Sequence, residues 1–155
     1  MISAPVRVRQ YTRRNPREPR PPLNPDYGTF GTNNIYDNPE KWRLTILGSL
    51  DAGGGYDFDT FVSWIDDFGN IYYAADSGCS CPTPFENIKS MADLTRVENA
   101  EGLRQAARAW ALEPDWEGQI DSSSRMTENP GLLDQIETMV RKADRLQKSR
   151  KERNA

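Results

Sequence analysis

The sequence predicts a small α+β domain: a three-stranded antiparallel meander followed by helices packed on one face, with an extended basic N-terminal arm and a C-terminal amphipathic helix. Three observations carry that prediction. Apolar residues alternate along three short runs between residues 42 and 76, and two glycine-containing turns separate the runs. Beyond residue 99 the apolar spacing changes to the three-and-four period of helices. Before residue 39 there is no period, only prolines, glycines and arginines. The chain of 155 residues has room for one independent core. It divides into an arm (1–38), an α+β core (39–113), a linker (114–129) and a C-terminal helix (130–155).

The arm holds prolines at 5, 16, 19, 21, 22 and 25, which remove amide donors and block regular structure. Its composition is that of a solvated segment, or of one that becomes ordered on a partner. Tyr11, Tyr27, Phe30 and Tyr36 give it apolar anchors. The first strand is read from "WRLTILGSLD", with Trp42, Leu44, Ile46 and Leu50 on one face and Arg43, Thr45, Ser49 and Asp51 on the other. "AGGG" supplies the turn chemistry. The second strand, "YDFDTFVSWID", puts Tyr56, Phe58, Val62 and Trp64 on one face. Asp57, Asp59, Phe61 and Ile65 occupy the other, so its later half is covered on both sides. "DFGN" turns the chain into a third strand, "IYYAAD", and such short connections require antiparallel neighbours. A short capped helix is expected at Ser90–Asp93. After Asn99, residues Leu103, Ala106, Ala107 and Trp110 fall on one helical face, and Pro114 closes that helix. Asn129 and Pro130 read as cap and first-turn residue of the last helix. Leu132, Ile136, Met139, Ala143 and Leu146 form its seam. The seam packs on the chain's own core or on a partner helix, including that of a second copy; as a partner interface its contact residues are Leu132, Ile136, Met139 and Leu146.

Charge is segregated along the chain. Residues 1–20 carry six Arg and one Glu, and residues 141–155 carry seven Lys or Arg and two acids, although the whole chain has a net charge of −3. Basic ends on an acidic body favour nucleic acid, or the body itself. Phosphate contact is expected from Arg7, Arg9, Arg13, Arg14, Arg17 and Arg20, with Arg145, Lys148, Arg150 and Lys151 secondary. No apolar run reaches the roughly 18 residues of a membrane span. The N-terminus lacks a secretory apolar segment. A cytosolic address with reduced thiols is therefore expected.

"DSGCSCPTPFE" (76–86) raises the question of thiol chemistry. With two Cys and no His in the chain, a closed zinc site of Cys and His cannot form within one copy. A half-site shared between copies, or completed by Asp76 or Glu86, is one alternative. A reversible disulfide is another, although redox pairs usually have two intervening residues. The favoured reading is a rigid corner built from Gly78, Cys79, Cys81, Pro82, Pro84 and Phe85, in which small thiols fill a gap and Phe85 anchors the turn. Asp57, Asp59, Asp66, Asp67 and Asp76 are the remaining candidates for chemistry, as magnesium ligands in phosphoryl transfer. They read more simply as a solvated strand face and strand-end turns. Without His, neither a Ser/His nor a Cys/His nucleophile is available, and no phosphate-binding glycine loop is present. No catalytic residue, metal or cofactor is assigned.

The segment "YDFDTFVSWIDDFGNIYYAADSGCSCPTPFE" resembles a group of small uncharacterised proteins of actinobacterial bacteriophages that share a "DSGCSCP-x-PFE"-like string. The likeness covers roughly residues 42–112. It implies a phage gene product acting in the host bacterial cytoplasm and brings no catalytic or ligand residues with it. The expected function is non-enzymatic: an accessory protein that binds a host or phage protein or ribonucleoprotein through its basic arm and C-terminal helix. Two alternatives are a metal-dependent phosphoryl-transfer enzyme using the strand aspartates, and an acidic mimic of nucleic acid that blocks a host protein.

Overall fold

The structure, a computed structural model, describes residues 34–53, 57–79, 84–113 and 124–155. β1 (Leu44–Asp51), β2 (Asp57–Asp66) and β3 (Ile71–Cys79) make the meander, and β4 (Thr95–Val97) adds a fourth strand. The order is β1-β2-β3-β4, antiparallel throughout. The expectation of three strands is therefore corrected to four. β4 sets Val97 opposite Ile71 and Thr95 opposite Tyr73, and three residues are too few to display a period of two. Three helices follow: α1 (Ala100–Ala111), the short α2 (Ser124–Glu128) and α3 (Leu132–Arg153).

β1 departs from its alternating pattern at a bulge. Pairing runs from Ile46 opposite Trp64 to Gly48 opposite Ser63, leaving Leu47 as the extra residue. An extra residue shifts the alternation by one position. The single apolar face inferred for this strand is thus split. Trp42, Leu44 and Ile46 join one core, while Leu47 and Leu50 join the other. The bulge also brings β1 close to α3. A Cβ on Gly48 would lie 2.7 Å from Met139 Cγ, so only glycine fits there.

The sheet lies between two layers. On one face, Phe61, Ile65 and Ile71 pack against Leu103, Ala107 and Trp110 of α1 and against Leu132, Ile136 and Val140 of α3. Phe61 stacks on Tyr73 at 5.0 Å between ring centroids and meets Trp110 at 5.5 Å. The opposite face is closed by irregular chain, with Ile35, Trp42, Phe85 and Leu94 packed on Val62, Trp64 and Ala74. This layer includes residues before the expected core boundary at 39. Asn34 and Ile35 are both fully buried. The Asn34 carboxamide oxygen accepts from the amides of Tyr36 (2.7 Å) and Asp37 (3.3 Å), and its Nδ2 donates to the Pro84 carbonyl at 3.2 Å.

Helix boundaries follow local chemistry. Asn99 caps α1 by accepting from the Gly102 amide at 3.0 Å. The short helix expected at Ser90–Asp93 is a 3-10 turn, Met91–Asp93, whose Asp93 carboxylate takes the amides of Lys89 and Ser90 at 2.8 and 3.1 Å. Asn129 does not cap α3. The helix begins at Leu132 after Gly131, and Asn129 Nδ2 instead donates to the Asp51 carbonyl and to Gln135 Oε1, each at 3.0 Å. α2 lies inside the span expected to be linker, and Arg125 fixes it there: Nε and Nη2 reach the Asp59 carboxylate at 2.7 and 3.1 Å.

Candidate functional site

Of the cysteine segment, the structure describes the backbone as far as Cys79 and the chain again from Pro84. β3 ends at Cys79, whose backbone lies opposite Asp57; the Cys79 side chain, Cys81 and Pro82 lie outside the described residues. On the far side Phe85 is buried against Trp64 in an edge-on contact at 5.7 Å and against Tyr36 at 5.6 Å. Its φ is +65°, a left-handed conformation that a bulky residue adopts only when its surroundings impose it. Here the Asp76 carboxylate accepts the Phe85 amide at 2.8 Å. Asp76 therefore ties Phe85 to β3.

Asp59 and Asp66 are similarly occupied. Asp59 binds Arg125, whose guanidinium also donates to Glu113 at 2.6 Å and to the Trp110 carbonyl at 2.8 Å, and lies 4.7 Å from the centre of the Trp110 ring. Burial disfavours the Arg125 charge, but the hydrogen bonds to Asp59 and Glu113 outweigh it and raise the pKa. Asp66 is buried in the β2–β3 turn and accepts from the amides of Phe68 and Asn70, from Asn70 Nδ2 and from the Tyr72 hydroxyl. Burial, and then the neighbouring Asp66 charge, push the Tyr72 hydroxyl up. The Asp57 side chain lies outside the described residues. Among the described residues, no group of three or more Asp, Glu, Cys or His side chains is placed to hold a metal ion.

Of the two destinations open to the C-terminal seam, the chain's own core is the one observed. Leu132, Ile136 and Met139 are buried in the chain's own interior and Leu146 packs partly against it, so these residues offer no apolar face to a second helix. Part of its basic end is also turned inward. Arg150 donates to the Asp66 carbonyl at 2.8 Å and to Thr45 Oγ1 at 3.1 Å, which removes it from the set of phosphate-contact candidates. Lys142 reaches the Ile46 carbonyl at 3.2 Å, and Gln147 Nε2 donates to the carbonyls of Gly69 and Glu98, both at 3.0 Å.

What α3 presents outward is charge. Arg141, Arg145, Lys148 and Lys151 are exposed, and the first three follow i, i+4, i+7 spacing on one face. Lys148 pairs with Asp144 at 3.0 Å on the open surface, a contact of little energetic weight. α1 extends the patch with Arg104 and the exposed Arg108. Arg104 grips Glu137 of α3 through Nε (2.9 Å to Oε2) and Nη2 (3.0 Å to Oε1), and also binds Glu101 one turn earlier. The hydrogen bonds from Arg104 hold the Glu137 carboxyl below its ordinary range, helped by the charges of Arg104, Arg108 and Arg141. Arg104, Arg108 and Arg141 were not singled out from the sequence, where they read as ordinary helix surface. The available signal was the paired spacing Arg104/Arg108 and Glu137/Arg141 on helices that must pack together. Arg7, Arg9, Arg13, Arg14, Arg17 and Arg20 lie outside the described residues.

Leu112 is the one large apolar side chain exposed among the described residues, so the surface they form has no broad apolar patch. No helix among them is long and apolar enough to cross a membrane. Neither the curated proteins nor the solved structures contain a match to this chain. One family model matches, over residues 33–146, a span that opens beside the buried Asn34 and closes within α3. On that match the chain belongs to the family described as Domain of unknown function (DUF7574).

Proposed function

We propose that this protein is a non-enzymatic binding protein that docks on a nucleic acid or ribonucleoprotein through the cationic outer face of α1 and α3. The observation that carries this reading is the exposed row Arg108, Arg141, Arg145 and Lys148 on helices whose apolar seam is already buried. Neighbouring cations on α3 lie about 4.5–6 Å apart along the axis, so one face addresses an extended polyanion at several points. Occupation of Asp59, Asp66 and Asp76 by structural hydrogen bonds supports a binding role over phosphoryl transfer. The arginines of residues 1–20 add positive charge to the same chain. The resemblance of residues 76–86 to actinobacteriophage proteins supports a phage product working in a bacterial cytoplasm.

The test is a salt titration of binding to a labelled mixed-sequence oligonucleotide, as DNA and as RNA. Affinity is expected to fall linearly with the logarithm of salt, with a slope of roughly 0.7–0.9 per phosphate contacted. The triple reversal Arg108→Glu, Arg141→Glu, Arg145→Glu is expected to abolish binding while leaving the helical circular dichroism unchanged. Binding that is insensitive to salt and survives the triple reversal refutes the proposal.

A further inference from the structure

We infer that Glu137 is a built-in competitor at the Arg104–Arg108–Arg141 cluster, holding the place that a backbone phosphate of the bound nucleic acid takes over. The inference rests on the polyanion reading above and concerns how tightly that surface binds. Arg104 presents Nε and Nη2 to the two Glu137 oxygens as a parallel fork, at 2.9 and 3.0 Å. That arrangement suits either a carboxylate or the two free oxygens of a phosphodiester. Glu137 thus shows that Arg104 holds a two-oxygen anion at the junction of α1 and α3.

Three further observations indicate that the occupant can be replaced. The pair is open to water, with side-chain exposures of 33% for Arg104 and 35% for Glu137, so exchange requires no buried charge to be uncovered. Arg108 is exposed and makes no ion pair among the described residues. Arg141 has only a 3.4 Å contact to Thr138 Oγ1 within its own helix. Both guanidinium groups act on Glu137 through space, adding to the larger effect of the Arg104 hydrogen bonds that hold its carboxyl below the ordinary range. A phosphate entering the fork keeps the two Arg104 hydrogen bonds and brings its charge to Arg108 and Arg141 as well. Displaced into solvent, Glu137 stays ionised and repels the ligand, so its presence weakens binding in either position.

The experiment compares Glu137→Gln with Glu152→Gln in the full chain, using the same labelled oligonucleotide at low salt. Each variant removes one negative charge from α3, but Glu152 lies about 22 Å further along the axis. Glu137→Gln is expected to tighten binding roughly tenfold, while Glu152→Gln changes it less than about threefold. Adding Arg104→Ala to Glu137→Gln is expected to cancel the gain. Equal tightening by the two single variants reduces the effect to net charge and overturns the inference. Wild-type binding that Glu137→Gln leaves unchanged or weakens also overturns it, with the docking surface left standing. If neither the wild type nor Glu137→Gln binds, the polyanion reading falls, and this inference with it. Binding by Glu137→Gln alone supports both.

Discussion

Asp66 places a carboxylate where only 1% of the residue is exposed, and no cation among the described residues pairs with it. Four donors converge on its two oxygens at 2.9 to 3.2 Å, and Arg96 touches the cluster only through Asn70 Oδ1, at 2.8 Å. Burial raises the carboxyl pKa, and the hydrogen bonds from Asn70, Phe68 and Tyr72 oppose that rise without cancelling it. The folded carboxyl therefore keeps its proton to a higher pH than the unfolded one. Its contribution to stability is fully present below the ordinary carboxylate value and is lost as pH rises through the folded value. Urea unfolding across the acid-to-neutral range checks this in wild type and Asp66→Asn. The stability advantage of wild type over the variant is expected to shrink as pH rises; a flat or growing advantage refutes the sign. The sequence showed Asp66 as a turn residue, which it is. Nothing in "DFGN" showed that the turn is roofed by α3, because that contact joins residues far apart in the chain.

α3 is fastened to the sheet by polar donors as well as by its seam. Gln147 is the clearest case, a nearly buried amide that ties the β2–β3 turn to the residue after β4 through the carbonyls of Gly69 and Glu98. Gln147→Leu keeps the volume but strips both carbonyls of their donor. It is expected to cost about 1–3 kcal/mol in urea or thermal unfolding. Arg145→Ala, on the exposed face, is expected to stay within about 0.5 kcal/mol. Similar losses for the two variants would mean that the inward and outward faces are wrongly divided. The seam itself was legible from spacing alone, since Leu132, Ile136, Met139 and Ala143 repeat at helical intervals. Its partner was not. An apolar stripe specifies that something covers it, and only the tertiary fold supplies the sheet. The basic end misled for a related reason: Arg150 and Lys142 look like solvent-facing cations until the carbonyls of β1 and β2 come within reach.

At the scale of the whole molecule, the described residues form a sheet with a helical layer on one face and an irregular layer on the other, and the second layer was the least legible part. Ile35, Phe85 and Leu94 are isolated apolar residues in segments without periodicity, so no window of sequence announces a common face. What could be seen was the reverse side of the problem: Val62 and Trp64 alternate with Phe61 and Ile65, which requires cover on both faces of β2. That alternation also predicts cooperativity. Adjacent residues of one strand serve the two cores, so neither layer can melt without exposing a sheet that the other needs. The helices belong only to the first layer, and their circular dichroism therefore reports on it alone. Ile35→Val trims one methylene from the second layer, at a cost of about 1 kcal/mol, which lowers the midpoint by roughly 4 °C. The helical signal is expected to shift by that full amount, in step with tryptophan fluorescence. If the helices keep the wild-type midpoint while fluorescence moves, the two layers unfold separately. The cationic face of α1 and α3 would then rest on the helical layer and sheet alone.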